Sequence, residues 1–293
     1  MKTEDMQSAV VLLGTKGGPA IRPGGPMPTS TLVQMGGLTL LVDAGLGVTR
    51  AICDAGLPLT ALDAVLITHL HSDHLLELGP LLHTAWTAGL QHEIPIFGPP
   101  GIETYWKGFL DSMEFDIALR EVDEGRPPFH EFITVGHISD SRPIDLEGVM
   151  VSALRNHHPP IEDSFALKLE HGGQTLVLSG DTAPIAEMIP FAQGADLLIH
   201  EAMLPDRVQA IVERMGYRDA RLYEHIMQSH SPASEVGRIA AAANVGALAL
   251  NHLIPAGDPN ITEEQWRRAA ASAYDGPIHV GQDGMVIALE DPQ

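Results

Sequence analysis

The chain has 293 residues, 44% of them hydrophobic, which is enough to bury a substantial core in one or two domains. Its 38 acidic and 17 basic residues give a formal net charge of −21, which makes nucleic acid an unfavourable partner. A single cysteine, Cys53, excludes an internal disulfide framework and any metal site built from several thiolates. A metal would have to be held by carboxylates and by some of the 15 histidines.

The amino-terminal residues and the apolar runs indicate no membrane segment. Glu4 and Asp5 stand where a secretory signal would be basic, and the apolar run over 9–13 is too short for one. The longest mostly apolar stretch, 239–250, falls short of the roughly 18 residues that suggest a membrane span. We therefore expect a cytoplasmic protein without a membrane partner.

Short strands and helices alternate along the chain, which predicts an α/β fold. Strands are predicted over 8–14, 30–37, 38–47, 64–68, 93–98, 148–154, 164–170, 174–180, 195–201, 246–252 and 284–289. Helices are predicted over 48–57, 75–86, 102–113, 231–244 and 262–273. No linker rich in Ser, Gly or Pro divides the chain, so we expect residues 1–293 to form one domain. The segment 116–143, with Pro127 and Pro128, is expected to be an irregular or lid-like insertion.

A dense group of metal-ligating side chains follows the apolar strand at 64–68. His69, His71, Asp73 and His74 lie within six residues. His69 and His71 share one face of an extended backbone, whereas Asp73 and His74 diverge as the chain turns into a helix. The alternative is a chance polar turn, but packing three unpaired imidazoles together would cost desolvation and repulsion. The motif therefore predicts a metal site.

This H-x-H-x-D-H motif resembles the signature of the metallo-β-lactamase superfamily, which implies a four-layered αββα sandwich with two metals at the sheet edges. The resemblance implies three further ligands after later strands: His158, Asp181 and His252. His157 is an alternative to His158 as the ligand. Without the resemblance, Asp181 would be interpreted as the N-cap of the following helix. The implied assignment puts His69, His71 and His158 on one ion and Asp73, His74 and His252 on the other, with Asp181 shared.

Nitrogen and oxygen ligands without thiolate favour Zn(II) for both ions, although Mn(II), Fe(II) and Co(II) also accept them. Two ions about 3.5–4 Å apart would hold a bridging hydroxide and stabilise developing charge. The predicted reaction is therefore hydrolysis.

Two later stretches, ADLLIHEAM and SHSPASEVGRIA, resemble ribonuclease Z and its arylsulfatase-like relatives. The resemblance implies that Glu201 orients His230, which would protonate the leaving group. Asp73, Glu201 and His230 are then the expected catalytic residues. Taken alone, His230 would be an ordinary helix-start residue and Glu201 a surface charge. Asp43 stands where the superfamily keeps an aspartate beneath the metals, although a turn aspartate before glycine would fit equally.

The expected substrate is a small ester. Bacterial ribonuclease Z carries a long tRNA-binding arm between the corresponding His and Asp, but only 23 positions separate His158 from Asp181, and a predicted hairpin fills them. An aryl sulfate or a phosphodiester such as a cyclic nucleotide is favoured. A lactone or carboxylic ester is the alternative, and tRNA 3′-processing or a non-catalytic metal-binding role is disfavoured. The resemblance also allows a homodimer.

Overall fold

The computed structural model describes residues 8–214 and 220–289, and two seven-stranded mixed sheets organise them. The first sheet has the order β14-β1-β2-β3-β4-β5-β6 and the second the order β13-β12-β11-β10-β9-β8-β7. The strands are β1 Ala9–Gly14, β2 Ser30–Met35, β3 Leu38–Val42, β4 Ala64–Leu66, β5 Ile94–Gly98, β6 Ile133–His137, β7 Ile144–Leu146, β8 Val149–Arg155, β9 Phe165–His171, β10 Gln174–Leu178, β11 Leu197–Met203, β12 Ala247–Ile254, β13 Ile278–Val280 and β14 Met285–Ala288.

Each sheet is antiparallel on one side and parallel on the other. Strands β3 to β6 are parallel in the first sheet, and β10 to β13 are parallel in the second. The predicted β2–β3 hairpin turns at Gly36 and Gly37, whose φ angles of 61° and 83° favour residues without a Cβ. Because parallel strands end at the same edge, loops from several strands meet there.

Helices cover the outer faces of both sheets. They are α1 Val48–Asp54, α2 Ser72–Leu75, α3 Leu78–Thr87, α4 Ile102–Asp123, α5 Met188–Phe191, α6 Pro205–Arg214, α7 Arg221–Ser229, α8 Ala233–Ala242 and α9 Glu263–Ala270. One apolar cluster joins α1, α3 and α4 to the first sheet, a second fills the space between the sheets, and a third joins α5, α8 and α9 to the second sheet. This is the predicted four-layered αββα sandwich.

The prediction of an irregular insertion over 116–143 was wrong for much of that segment. Helix α4 continues beyond the predicted end at residue 113 to Asp123, and β6 then pairs in parallel with β5. The intervening residues are anchored by Phe129, which is fully buried against Trp86 and Trp106. Pro127 and Pro128 therefore lie in a short connection between α4 and β6, and the aromatic contacts of Phe129 hold the adjoining residues in place.

Helices α6 and α7 were not predicted from the sequence. They lie between β11 and α8 and pack through a small apolar cluster that includes Val208, Val212 and Ile226. Among the described residues, no helix is both long and apolar enough to cross a bilayer. Glu4 and Asp5, on which the localisation prediction rests, lie outside the described residues.

Candidate metal centre

The loop after β4 brings four of the predicted ligands together. His69, Asp73 and His74 are buried, and α2 begins within this loop so that Asp73 and His74 turn away from His69. His69 Nε2 lies 3.1 Å from His71 Nδ1, whereas His74 Nε2 lies 3.7 Å from an Asp73 carboxylate oxygen. The loop thus divides its side chains between two neighbouring positions, as the alternation in the sequence predicts.

The second sheet contributes the other three side chains from the ends of its strands. His158 follows β8, Asp181 follows β10, and His252 lies near the end of β12 with a φ of 42°. His158 Nε2 lies 3.1 Å from His71 Nδ1, while His157 is exposed. Tertiary structure therefore brings His158, and not its neighbour, to the site.

The seven predicted side chains form two groups of converging donor atoms. His69, His71, His158 and Asp181 form one group, and all their ligand atoms lie within 4.8 Å of one another. Asp73, His74 and His252 form the second group within the same limit. Asp181 also lies 3.1 Å from His252 Nε2, so its carboxylate stands between the two groups.

The hydrogen bonds that the Nδ1 atoms of three histidines make show whether a cation fits this site. His74 Nδ1 donates to Asp43 at 2.7 Å, and His158 Nδ1 donates to the Ser229 carbonyl at 2.9 Å. His69 Nδ1 donates to Thr68 Oγ1 at 3.0 Å, because that hydroxyl gives its own proton to Asp43. Because Nδ1 is the donor in each ring, Nε2 is the nitrogen that faces the other ligand atoms.

Buried atoms without partners complete this test. Among the described residues, His74 Nε2 and Asp181 Oδ1 are buried without a hydrogen bond. Converging lone pairs and carboxylate oxygens repel one another unless a cation lies between them. The donor set therefore fits divalent cations that accept imidazole and carboxylate, of which zinc is the commonest protein-bound example.

The acid–base properties of the site follow from its burial. Burial lowers the pKa of His69 well below its usual value and lowers the pKa values of His71 and His158 to about 4. Burial alone would raise the pKa of Asp181, but His252 and His74 outweigh it and hold that pKa well below its usual range. Neutral His69, His71 and His158 beside an ionised Asp181 are the protonation states that metal binding requires. Burial alone would lower the pKa of His74, but Asp181 and Asp43 outweigh it and raise that pKa well above its usual value, so metal binding there would release a proton.

Asp43 supports the loop from beneath. Its carboxylate accepts hydrogen bonds from the Thr68 amide and from His74 Nδ1, at 2.8 and 2.7 Å. Asp43 has a φ of 63°, a left-handed conformation that aspartate adopts more readily than most residues. These contacts match the supporting position that the sequence resemblance implies for Asp43.

Glu201 and His230 form a buried pair next to the donor groups. His230 Nδ1 lies 3.1 and 3.0 Å from the two oxygens of Glu201, which also accepts from the Thr182 amide at 2.6 Å. Burial, and then the Asp181 charge, raise the pKa of Glu201 well above its usual value, whereas burial lowers that of His230. With Nδ1 bonded to Glu201, Nε2 is the nitrogen left for proton transfer.

A cavity of about 330 Å³ opens over the donor groups. Its lining includes Asp73, Asp181 and His230 and the two cationic side chains of Lys16 and Arg22. Apolar residues also line it: Val212, Leu222, Ile226, Ile254 and Ala256. Lys16 is buried, its ammonium donates to the carbonyls of Gly17 and Gly18, and burial lowers its pKa to about 8.

Sequence analysis singled out neither Lys16 nor Arg22, and it missed His225 on α7. Two signals were available. Lys16 and Arg22 are cations in a strongly acidic chain, and His225 stands only five positions before the predicted catalytic residue His230.

Comparison with known proteins assigns this fold and site to a family. A family model described as anti-Pycsar protein Apyc1 matches residues 10–236. Ribonuclease Z of Mycobacterium bovis (strain BCG / Pasteur 1173P2) is 36% identical over 283 residues, covering 94% of this chain and 95% of that protein. The chain belongs to the Apyc1 family, within the metallo-β-lactamase superfamily and related to ribonuclease Z.

Solved structures agree with the metallo-β-lactamase fold. The metallo-β-lactamase fold protein YhfI from Bacillus subtilis superposes with a TM-score of 0.70 at 25% identity, covering 96% of this chain and 99% of that chain. The short form of human tRNase Z superposes with a TM-score of 0.67 at 21% identity, with coverage of 96% and 99%. The predicted superfamily and sandwich fold are therefore confirmed, and this metallo-β-lactamase-fold protein belongs to a family of metal-dependent hydrolases.

Proposed function

We propose that this protein is a dinuclear metal hydrolase of a small anionic ester, with a phosphodiester as the favoured substrate. The cavity over the donor groups carries this proposal. Two cations in its lining fit an anionic centre, and the apolar side chains of the lining fit the organic part of an ester. A volume of about 330 Å³ suits a nucleotide-sized molecule better than a folded polymer.

His69, His71 and His158 would hold one ion, Asp73, His74 and His252 the other, and Asp181 both. Bound there, two divalent ions would supply Lewis acidity and activate water for in-line attack. Donor chemistry favours zinc.

Other side chains of the protein would bind the substrate and transfer a proton. Lys16 and Arg22 attract and orient the anionic ester. Glu201 holds the His230 ring through Nδ1, so Nε2 is available to take up a proton from water and pass it to the departing oxygen. The low-dielectric surroundings of this pair strengthen its electrostatic effect on the leaving group.

Cleavage of precursor tRNA is the second candidate, because a relative that is 36% identical is named ribonuclease Z. Two features weigh against it. The chain between His158 and Asp181 forms only the β9–β10 hairpin, which turns at Gly172 and Gly173. In addition, a net charge of −21 opposes the phosphate neutralisation that sustained RNA binding needs.

A substrate panel distinguishes these functions. The zinc-loaded protein is assayed with bis(p-nitrophenyl) phosphate, a 3′,5′-cyclic nucleotide, p-nitrophenyl sulfate, a lactone and precursor tRNA. We expect the highest kcat/KM with a phosphodiester of low molecular mass. Preferential cleavage of precursor tRNA would establish the second candidate. A preference for the sulfate or the lactone would mean that the substrate is that ester and not a phosphodiester. No turnover by a protein with two bound metals would indicate a binding role.

A further inference from the structure

His225 on α7 faces the metal-site cavity but belongs to neither donor group. Its ring centroid lies 6.3 Å from that of His71, 6.1 Å from that of His158 and 6.3 Å from that of His230. Within residues 8–214 and 220–289, no group of converging ligand atoms includes it. The half-buried imidazole is therefore available for another task at the cavity wall.

Contacts on the helix side of the ring determine which nitrogen carries the hydrogen. Ser229 Oγ donates its proton to the Pro159 carbonyl at 2.8 Å and presents its lone pairs to His225 Nδ1 at 3.4 Å. Because the Ser229 hydroxyl gives its proton to Pro159, it acts as an acceptor towards His225, so Nδ1 carries the hydrogen.

The other nitrogen, Nε2, then carries a lone pair. No residue in the described part of the chain is hydrogen-bonded to Nε2. A phosphoryl oxygen offers no proton to such an acceptor, whereas an alcohol hydroxyl does.

We propose that His225 Nε2 accepts a hydrogen bond from a hydroxyl group of the substrate, so that the enzyme prefers a phosphodiester whose organic part carries a free hydroxyl, such as a ribonucleotide. This inference rests on the proposed phosphodiesterase activity. The hydroxyl would lie beside the reacting ester, since His225 and His230 line the same cavity. His225 is thus a specificity-determining residue.

The size of the effect follows from the partial exposure of the ring. A fully buried site that bonds a hydroxyl rejects an analogue without it by large factors. At a half-exposed ring, water replaces the missing hydroxyl and reduces the difference. We expect a preference of about tenfold in kcat/KM, which corresponds to one ordinary hydrogen bond.

The test compares a 3′,5′-cyclic ribonucleotide with its 2′-deoxy counterpart. In the wild-type protein the ribonucleotide should be favoured by about tenfold. His225→Phe keeps a ring but has no acceptor, so the ribonucleotide should lose this advantage while the deoxy ester keeps its rate. His225→Gln restores an acceptor and should recover part of the preference. Gln228→Ala, on the exposed side of the same helix, is the matched control.

Two results for His225→Phe would overturn the proposal. Loss of bound zinc in His225→Phe would make His225 a ligand, and an equal loss for both esters would make it a packing residue. Either result overturns the proposal. If the wild-type protein cleaves neither ester, the proposed function fails, and the same variants are titrated with ribonucleoside and 2′-deoxyribonucleoside 5′-monophosphates. A hydroxyl preference in binding that disappears in His225→Phe supports the proposal, and equal binding of both overturns it.

Discussion

Asp181 is the residue on which both donor groups depend. Its carboxylate lies 3.1 Å from His252 Nε2 and 3.7 Å from His69 Nε2, so it contacts a member of each group. Asp181→Ala should therefore remove bound metal and activity together. Metal analysis of the purified variant checks this, with Asp111→Ala, at an exposed position on α4, as the control. A variant that retains both metals would contradict the shared role.

His230 should behave differently because its proposed task is proton transfer. His230→Ala should keep both metals and lower kcat by about 10²- to 10⁴-fold. The loss should be largest for alkyl esters, since nitrophenolate departs without protonation. The measurement is kcat for esters with leaving groups of increasing pKa. An equal loss across that series would contradict an acid role.

Lys16 should make substrate affinity dependent on pH. Burial lowers its pKa from 10.5 to about 8, so the ammonium is present below that pH and is lost as the pH rises through it. KM for a phosphodiester should therefore increase above about pH 8, whereas KM for a neutral lactone should stay level. Lys16→Arg keeps the charge and should remove the increase. An unchanged pH profile in this variant would show that Lys16 does not bind substrate.

At the scale of secondary-structure elements, close packing of α8 on α9 depends on Gly237. A Cβ at this position would lie 2.1 Å from the Ala270 carbonyl oxygen, which is backbone and cannot swing aside. Gly237→Ala should lower the free energy of unfolding by about 1–3 kcal/mol. Urea denaturation checks this.

Gly108 is the matched control for that substitution. It lies within α4, where a Cβ would meet nothing within 4 Å. Gly108→Ala should raise the free energy of unfolding by about 0.5–1 kcal/mol, because alanine favours the helical conformation. Equal effects at both positions would contradict the packing argument.

Helix α4 and strand β6 mark where local sequence signals were insufficient. Helix α4 continues through acidic and apolar residues, including exposed Phe115 and Val122, that have no clear helical periodicity. Its carboxyl end is secured by Arg120, which bonds Asp116 and Glu124 one turn away on either side. Strand β6 forms because β5 lies beside it as a parallel partner. The periodicity of a single segment does not predict which strand will pair with it.

At the scale of the whole molecule, the candidate metal centre joins the two sheets. The first sheet supplies the loop with His69 and Asp73, and the second sheet supplies His158, Asp181 and His252. A ligand that binds only the folded state stabilises it by mass action, by about 2.7 kcal/mol when its concentration is 100 times Kd. Bound metal should therefore contribute to global stability.

Metal removal tests this contribution. Chelation should lower Tm, and added zinc should restore it, whereas Asp181→Ala should respond little to either treatment. Differential scanning calorimetry provides the measurement. A Tm that is identical with and without metal would show that bound metal does not stabilise the folded protein.

The sequence by itself was sufficient for an α/β fold and for a metal site at the H-x-H-x-D-H loop. The reason is physical: strand periodicity is a local property, and this loop directly follows an apolar strand. Order along the chain, and resemblance to one superfamily, supplied the αββα arrangement, the later Asp and His ligands and the interest in Asp43.

Only the tertiary structure decided what surrounds those residues. Contacts between distant segments bury His158, leave His157 exposed, and bring Lys16, Arg22 and His225 into the lining of one cavity. The Ser229 carbonyl at the end of α7, for example, bonds His158 across 71 positions of the chain, and no local pattern encodes such a contact. The chemistry of the centre was therefore readable from the sequence, while the shape and charge of the cavity above it required the fold.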